Sequence, residues 1–294
     1  MAQLQDKVRE ARLNIGTVLS RMADRLDGDW PELDGQLILA HVLDRPRTWV
    51  LAHPEITLTA AQLSAVEAAQ ARLEAGTPLP YVLGHWEFFG HDFAITPDVL
   101  IPRPETESLV ERAIAWLQAS PVRRTVADVG TGSGAIGVTL AAHVPGTYVL
   151  CTDLSLPALR VARANARKFE VDGRMDFVAC DLLPPHHDGL PTDLHFDLVC
   201  ANLPYIPTHK LKGLAVYGRE PTLALDGGQD GLQSIRRLLR TATDWLAPGG
   251  RILLEIEATL GVQAMSLAYD SFSEATIHLH QDLTGRDRLL EIQL

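Results

Sequence analysis

Four short stretches of the sequence carry residue types able to do chemistry, and each follows an apolar, strand-like run. The first, Asp128-Val129-Gly130-Thr131-Gly132-Ser133-Gly134, alternates glycine after TVADV. Glycine lets the backbone approach a ligand closely after a strand, and the N-terminus of a following helix attracts negative groups. Asp153 ends the second run, about 20 residues past the glycines, where an acid suits the hydroxyls of a ribose. Asp181 ends the third and is followed by Leu182: a carboxylate to accept a hydrogen bond from an adenine amino group, and an apolar chain to pack on the ring. Singly, the glycines make a tight turn and each acid a turn former or helix cap. Jointly, three consecutive strand ends presenting glycines, acid and acid point to an adenosine-containing cofactor; NAD and S-adenosylmethionine both fit.

The fourth stretch separates those two. The run FDLVCA ends in Asn202-Leu203-Pro204-Tyr205, which alone reads as a turn. The Asn202 side chain offers a carbonyl acceptor. Leu203 precedes proline and is biased to extended backbone, so its own carbonyl becomes a second acceptor. Two acceptors hold both N–H bonds of a substrate –NH₂ and aim its nitrogen at an electrophile, while Tyr205 packs a planar group. Placed beside a ribose and a sulfonium, this is a site for methyl transfer to nitrogen. It needs no metal, because its work is to position the amino group and to stabilise the partial positive charge that grows there.

These residues must be held by alternating strands and helices. Strand-like runs cover 125–129, 147–153, 175–179, 196–201, 251–256, 275–280 and 288–293, and helical runs Ala135–His143, Leu156–Phe169, Leu232–Leu246 and Leu260–Ser271 separate most of them. The pattern predicts an α/β fold: a mostly parallel, seven-stranded, Rossmann-like sheet with helices on both faces and an antiparallel last strand. Residues 1–77 read as a small helical bundle, with apolar stripes at Leu13, Val18, Leu19 and Met22, at Leu37, Leu39, Val42 and Leu43, and at Leu63, Val66, Ala69 and Leu73. Thr59 is a candidate N-cap. Gly76-Thr77-Pro78-Leu79-Pro80 breaks the helical pattern. Residues 78–105 then read as a β-hairpin linker, with Trp86, Phe88, Phe89 and Phe93 alongside Gly84 and Gly90, closed by Pro102-Arg103-Pro104-Glu105-Thr106. The catalytic domain spans 106–294 and opens on a helix near Thr106, with Glu105 and Glu107 where the helix dipole favours acids.

The 294 residues suit two domains, and 46% hydrophobic with 21% charged is ordinary for a globular chain. A net charge of −11 argues against a broad grip on nucleic acid. No run approaches the roughly 18 apolar residues of a membrane span, and MAQLQDKVREARL lacks the apolar core of a signal peptide, so the expected location is the cytoplasm. Cys151, Cys180 and Cys200 are widely spaced without a CxxC pair and read as buried apolar residues rather than a zinc site.

The glycine loop, the acid on the second strand and Asn-X-Pro-Tyr after the fourth resemble the class I S-adenosylmethionine-dependent methyltransferases that act on exocyclic or amide nitrogen. Within them, the chain resembles the release factor glutamine methyltransferase family along essentially its whole length. The segments that carry this are TPLPYVLGHWEFFG, VLIPRPETESLVE, VADVGTGSGAIGVTLA, NLPYIP, REPTLALDGGQDGL and DLTGRDRLLEI. The resemblance implies S-adenosylmethionine at Gly130, Thr131, Gly132, Ser133, Gly134, Asp153, Asp181, Leu182 and Asn202. It implies a substrate at Asn202, Leu203, Pro204 and Tyr205, with Asn202 and Tyr205 as the catalytic pair. The acceptor is then the glutamine of a Gly-Gly-Gln loop in a peptide chain release factor, the product is N5-methylglutamine, and the helical domain and hairpin hold that protein. Apart from the resemblance, the expected working form is a monomer. The family usually shows Asn-Pro-Pro-Tyr; Leu203 departs from it, keeping the backbone carbonyl but losing rigidity.

Asn-Leu-Pro-Tyr also resembles the motif of ribosomal RNA adenine dimethyltransferases, the main alternative, against which stand the acidic charge, the helical N-terminal domain and PRPETE. A cofactor-binding scaffold without activity is a third reading, opposed by the presence of every polar group the chemistry needs. Arg103 and Glu105 either line the substrate mouth or make an ion pair. Gly227-Gly228-Gln229 is itself a Gly-Gly-Gln and reads as part of the family's loop rather than as a self-methylation site. His186-His187 with Asp188 reads as a solvated loop rather than a metal site.

Overall fold

The computed structural model describes residues 13–26, 29–120, 122, 124–184 and 194–294. Most of the N-terminal stretch MAQLQDKVREARL and the His186-His187-Asp188 group lie outside the described residues. The chain divides into two units, Met1–Gly84 and His85–Leu294. The division falls after Gly84, not after Thr77 as the proline pattern suggests. Pro78 and Pro80 stop one helix but, at the start of the next, cost it no hydrogen bond. They open a further turn of helix that belongs to the first unit.

In that unit, α1 (Ile15–Ala23), α2 (Pro31–Leu43), α3 (Arg47–Ala52), α4 (Ala60–Glu74) and α5 (Leu79–Leu83) are joined by short turns. Asn14 caps α1, its side chain accepting from the Thr17 amide at 2.8 Å. Thr59 caps α4 in a reciprocal capping box with Gln62. The core gathers Ile15, Val18, Met22, Ile38, Leu39, Val50 and Val66. Ile38 takes the inward position of α2 and Leu37 stays half-buried, because the helical period puts 35, 38, 39 and 42 on one face. The Arg72 guanidinium donates to the carbonyls of Tyr81 and Val82, tying α5 to α4.

The second unit opens with the hairpin β1 (His85–Phe88) and β2 (His91–Ala94), turned through Phe89 and Gly90, both at positive φ. Then come a 3-10 turn at Pro104–Thr106 and α6 (Glu107–Gln118). The main sheet and its helices follow as β3 (Thr125–Val129), α7 (Ala135–His143), β4 (Tyr148–Asp153), α8 (Leu156–Lys168), β5 (Met175–Ala179), β6 (Phe196–Ala201), α9 (Thr208–Leu211), α10 (Gln233–Ala242), β7 (Leu246–Glu255), α11 (Gly261–Ser271), β8 (Thr276–Gln281) and β9 (Asp287–Gln293). The strand order is β5-β4-β3-β6-β7-β9-β8, and β9 alone runs antiparallel to its neighbours. This is the architecture the alternating pattern predicts.

One boundary moves. The helical run expected to reach Leu246 stops at Ala242, and Leu246 opens β7. Pairing with the neighbouring strand outcompetes helix there: the Phe196 amide donates to the Trp245 carbonyl at 2.7 Å, Phe196 pairs with Leu246, and the Phe196 and Trp245 rings stack at 5.5 Å. Cys151 and Cys200 are buried and Cys180 is half-buried, all as free thiols. Among the described residues, no helix is long and apolar enough to cross a membrane.

The winding reverses between β3 and β6, the switch point outside whose carboxyl ends open α/β sheets bind ligands. The glycine loop after β3 is braced there by Asn165 of α8, which is fully buried. Its Nδ2 donates to the carbonyls of Ser133 (2.8 Å) and Ala94 (3.0 Å), and its Oδ1 accepts from the Ala94 amide (2.8 Å). One side chain thus joins the hairpin, α8 and the glycine loop. Asn165→Ala should leave the buried Ser133 carbonyl and two half-buried Ala94 backbone groups without these partners and lower the unfolding free energy by about 2 kcal/mol, measurable by urea denaturation.

Candidate active site

A cleft of about 280 Å³ opens at the carboxyl ends of β3, β4 and β6 and is lined from within the second unit. It brings together Gly130, Thr131, Gly132, Ser133, Asp153, Asp181, Leu182, Asn202, Leu203 and Pro204. Parallel pairing in register does this: Val129 lies beside Thr152 on one side and Ala201 on the other, so the residues that follow each strand emerge side by side. Gly134 is not part of the lining. A Cβ there would lie 3.1 Å from the Ala162 Cβ, so its role is to let α7 pack on α8. Tyr205 is half-buried next to the lining rather than in it, and burial pushes its hydroxyl up to about 12.

Two carboxylates hold the glycine loop. Asp128, fully buried, accepts from Thr131 Oγ1 at 2.5 Å and the Gly137 amide at 2.9 Å through Oδ2, while its Oδ1 is buried without a partner. Asp153 accepts from the Gly132 amide at 2.9 Å through Oδ2 and from the Ser155 amide at 2.8 Å through Oδ1. Burial raises its pKa, and these amides counter the shift. Each Asp153 oxygen keeps lone-pair capacity toward the cleft. Asp181 lines the cleft too, with its Oδ2 paired to Arg237 of α10 at 2.5 Å. Leu182 sits at φ +68, a conformation uncommon for leucine, and packs against the core. The Leu203 side chain, 4% exposed, fills the space a Cβ on Gly130 would need, 3.1 Å from its Cδ2. The residue that departs from the proline of the family motif is therefore fixed by packing.

Arg103 lines the cleft and is paired with Glu220, not Glu105. Glu220 is 7% exposed and also accepts from the Ile101 amide at 3.1 Å, so the pair pins the segment before α6 to the loop carrying Pro221 and Leu223. Glu105 is exposed. In Gly227-Gly228-Gln229, a Cβ on Gly227 would fall 2.7 Å from the Tyr205 Cα, which gives that glycine a packing role behind the Asn-Leu-Pro-Tyr turn.

Asn202 has partners that the reading of motifs missed. Its Nδ2 donates to Thr106 Oγ1 at 3.1 Å, and Thr106 Oγ1 donates to Glu255 Oε2 at 2.5 Å. Glu255 is 2% exposed, and burial pushes it up to about 7. A signal was available: an acid inside the apolar run RILLEI is out of place in a buried strand unless it is bonded. Thr106 was hidden inside PRPETE, where it reads as a helix start. Among the described residues no cluster of His, Cys, Asp or Glu is placed to hold a metal ion.

The donor set fits S-adenosylmethionine. Gly132, at φ +56 with no side chain within 4 Å of where a Cβ would lie, leaves an open backbone cradle; Asp153 brings to the cleft a carboxylate of the kind that accepts from hydroxyls, and Leu182 and Ile136 offer apolar faces. Asp128 predicts a pH dependence. Burial, partly offset by its hydrogen bonds, raises it from the ordinary carboxylate value of 3.8 to about 6. It then binds its proton more tightly folded than unfolded, so its contribution to stability falls as pH rises from about 4 to about 6 and levels off above. Relative to Asp128→Asn, the wild type should lose about 3 kcal/mol across that window, read from urea denaturation of both proteins at each pH.

Comparison with known proteins agrees with this geometry. Residues 17–84 match the PrmC N-terminal domain and residues 111–216 the methyltransferase small domain. A release factor glutamine methyltransferase of Bordetella pertussis is 39% identical over 266 residues, covering 90% of this chain and 95% of that one. Another, of Nitratidesulfovibrio vulgaris, is 36% identical over 293 residues, covering 98% of this chain and 94% of that one. Among solved structures, the T. thermophilus 16S rRNA N2 G1207 methyltransferase in complex with AdoMet and guanosine shares the fold, at 18% identity and a TM-score of 0.50 over 71% of this chain and 49% of that chain. The glycine cradle, the acids on successive strands and Asn202 thus sit in a chain that belongs to the release factor glutamine methyltransferase family.

Proposed function

We propose that the protein methylates the side-chain amide nitrogen, N5, of the glutamine in the Gly-Gly-Gln loop of peptide chain release factors. The observation that carries this reading is the placement of Asn202 in the same cleft as the glycine loop and Asp153, in a chain of this family. When bound, S-adenosylmethionine supplies an electrophilic methyl carbon on a sulfonium: the nitrogen–carbon bond forms as the carbon–sulfur bond breaks, and the nitrogen then loses a proton.

An amide nitrogen is a poor nucleophile, because its lone pair is delocalised into the carbonyl, and no side-chain base deprotonates it beforehand. The protein's contribution is therefore orientation and electrostatics. Asn202 Oδ1 and the Leu203 carbonyl accept the two N–H bonds and aim the nitrogen at the methyl group. Both acceptors strengthen as positive charge grows on the nitrogen. Asp153 holds the ribose, Asp181 and Leu182 the adenine, and the open backbone at Gly132 receives the methionine part. Tyr205 packs the acceptor amide from the side of the turn. Burial of Leu203 against Gly130 supports a fixed carbonyl without the stiffness of proline.

The helical unit is the element that recognises the release factor. One chain lines the whole cleft, which supports a monomer as the working form. The net charge of −11 supports a protein acceptor over an RNA one.

Labelled S-adenosylmethionine tests the reading. Label should pass to a purified release factor, and neither to the same factor with its loop glutamine changed to alanine nor to small-subunit ribosomal RNA. Label on the RNA alone would overturn it. Asn202→Ala should bind S-adenosylmethionine nearly as the wild type does in calorimetry, yet lose about 10²–10³ in kcat.

A further inference from the structure

An asparagine amide has two nearly isosteric ends, and only one of them can accept a hydrogen bond from a substrate N–H. If the Asn202 –NH₂ faced the acceptor glutamine, it would set donor against donor. Something must choose the orientation, and the choice is legible in the groups behind Asn202. The Thr106 hydroxyl has a single proton, which goes to the buried Glu255 carboxylate at 2.5 Å. Toward Asn202 the same oxygen is left with lone pairs only, so it accepts from Nδ2, at 3.1 Å. An ionised carboxylate accepts and never donates, so the direction of the whole chain is set from its inner end.

Resting on the functional reading above, we infer that Thr106 and Glu255 are positioning residues for the methyl acceptor: the Glu255 carboxylate directs the Thr106 hydroxyl, which holds Asn202 with Oδ1 as the end presented to the substrate amide. The three groups come from three separate elements, the 3-10 turn before α6, the end of β7 and the turn after β6. Thr106 is 4% and Glu255 2% exposed, so water does not compete for either. The relay also carries negative charge toward the site, which strengthens Asn202 Oδ1 as an acceptor while positive charge develops on the substrate nitrogen.

Protonation of Glu255 reverses the logic. A protonated carboxyl can donate to Thr106, whose hydroxyl is then able to donate to Asn202 and favour the turned amide. The charged groups acting on Glu255 are Arg288 of β9, which favours ionisation, and Glu105 of the 3-10 turn, which opposes it; hydrogen bonding from Thr106 and from the Asn202 side chain also favours the ionised form. Tyr205 faces Glu255 itself, whose charge raises the phenol as Glu105 does, while Arg288 and Arg103 lower it. Burial leaves Glu255 near 7, so the relay titrates within the working range.

The test compares the full chain with Thr106→Val, Thr106→Ser and Glu255→Gln. It reads kcat and KM on a purified release factor, S-adenosylmethionine affinity by calorimetry, and thermal unfolding of each variant. Thr106→Val, which keeps shape and loses the hydroxyl, should reduce kcat by about 10²-fold with cofactor affinity retained, and Thr106→Ser should restore most of kcat. In the wild type kcat should rise with pH through about 7 as Glu255 ionises, and Glu255→Gln should lose that rise. A Thr106→Val enzyme with wild-type kcat, a Thr106→Ser enzyme as impaired as Thr106→Val, or an unchanged pH profile in Glu255→Gln would overturn the relay while wild-type labelling of the glutamine still stood. A wild-type enzyme that left the glutamine unlabelled would overturn the functional reading and the relay with it.

Discussion

The loop between β3 and α7 is held by two carboxylates together with the Thr152 carbonyl, which accepts from the Gly130 and Thr131 amides. Asp128 takes the Thr131 hydroxyl and the Gly137 amide, and Asp153, one strand over, takes the Gly132 amide. Asn165 closes the third side by donating to the Ser133 carbonyl. A glycine-rich segment has large conformational freedom to lose on folding. These side-chain bonds and the backbone bonds of Gly130, Thr131 and Gly134, rather than any preference of the glycines, keep the loop open as a cradle. Asp153 serves both ends of the task, since the carboxylate that shapes the loop also faces the cleft.

That arrangement places ionisable groups where water cannot reach them. Asp128 and Glu255 are both buried and both raised, and each is tied by hydroxyl and amide donors rather than by a cation at bonding distance. Such groups destabilise the fold when ionised, which marks them as retained for what they organise. Asp128 organises the glycine loop, and Glu255 the Thr106 hydroxyl that meets Asn202. The rim of the cleft at Arg103 is built by a different device, the buried Glu220, which fastens the segment at Ile101 and Arg103 to the loop beyond it.

Much of this was legible in the chain. The strands from Thr125 to Ala201 begin and end within a residue of where apolar runs and their polar terminators put them. Cleft-lining residues were legible because a parallel sheet delivers strand ends to one edge, so that a glycine run, an acid and an asparagine in sequence become neighbours in space. The β7 boundary was not legible. Leu246 lies in a pattern that suits a helix, and only pairing with Phe196 makes it strand. Arg103 had two candidate roles, and its partner, Glu220, lies more than a hundred residues away in the chain.

The sequence by itself determined the fold class and which strand-end residues line the cleft. Each of these is written in local residue types whose meaning survives without knowledge of distant neighbours. Tertiary structure decided which end of the Asn202 amide is tethered, what fixes Leu203 in the place of proline, and that Tyr205 stands beside the cleft lining rather than within it. Those depend on contacts between Thr106, Asn202 and Glu255 and between Gly130 and Leu203. Hydrogen-bond direction and packing at a few ångströms exist only once the sheet has brought its separate edges together.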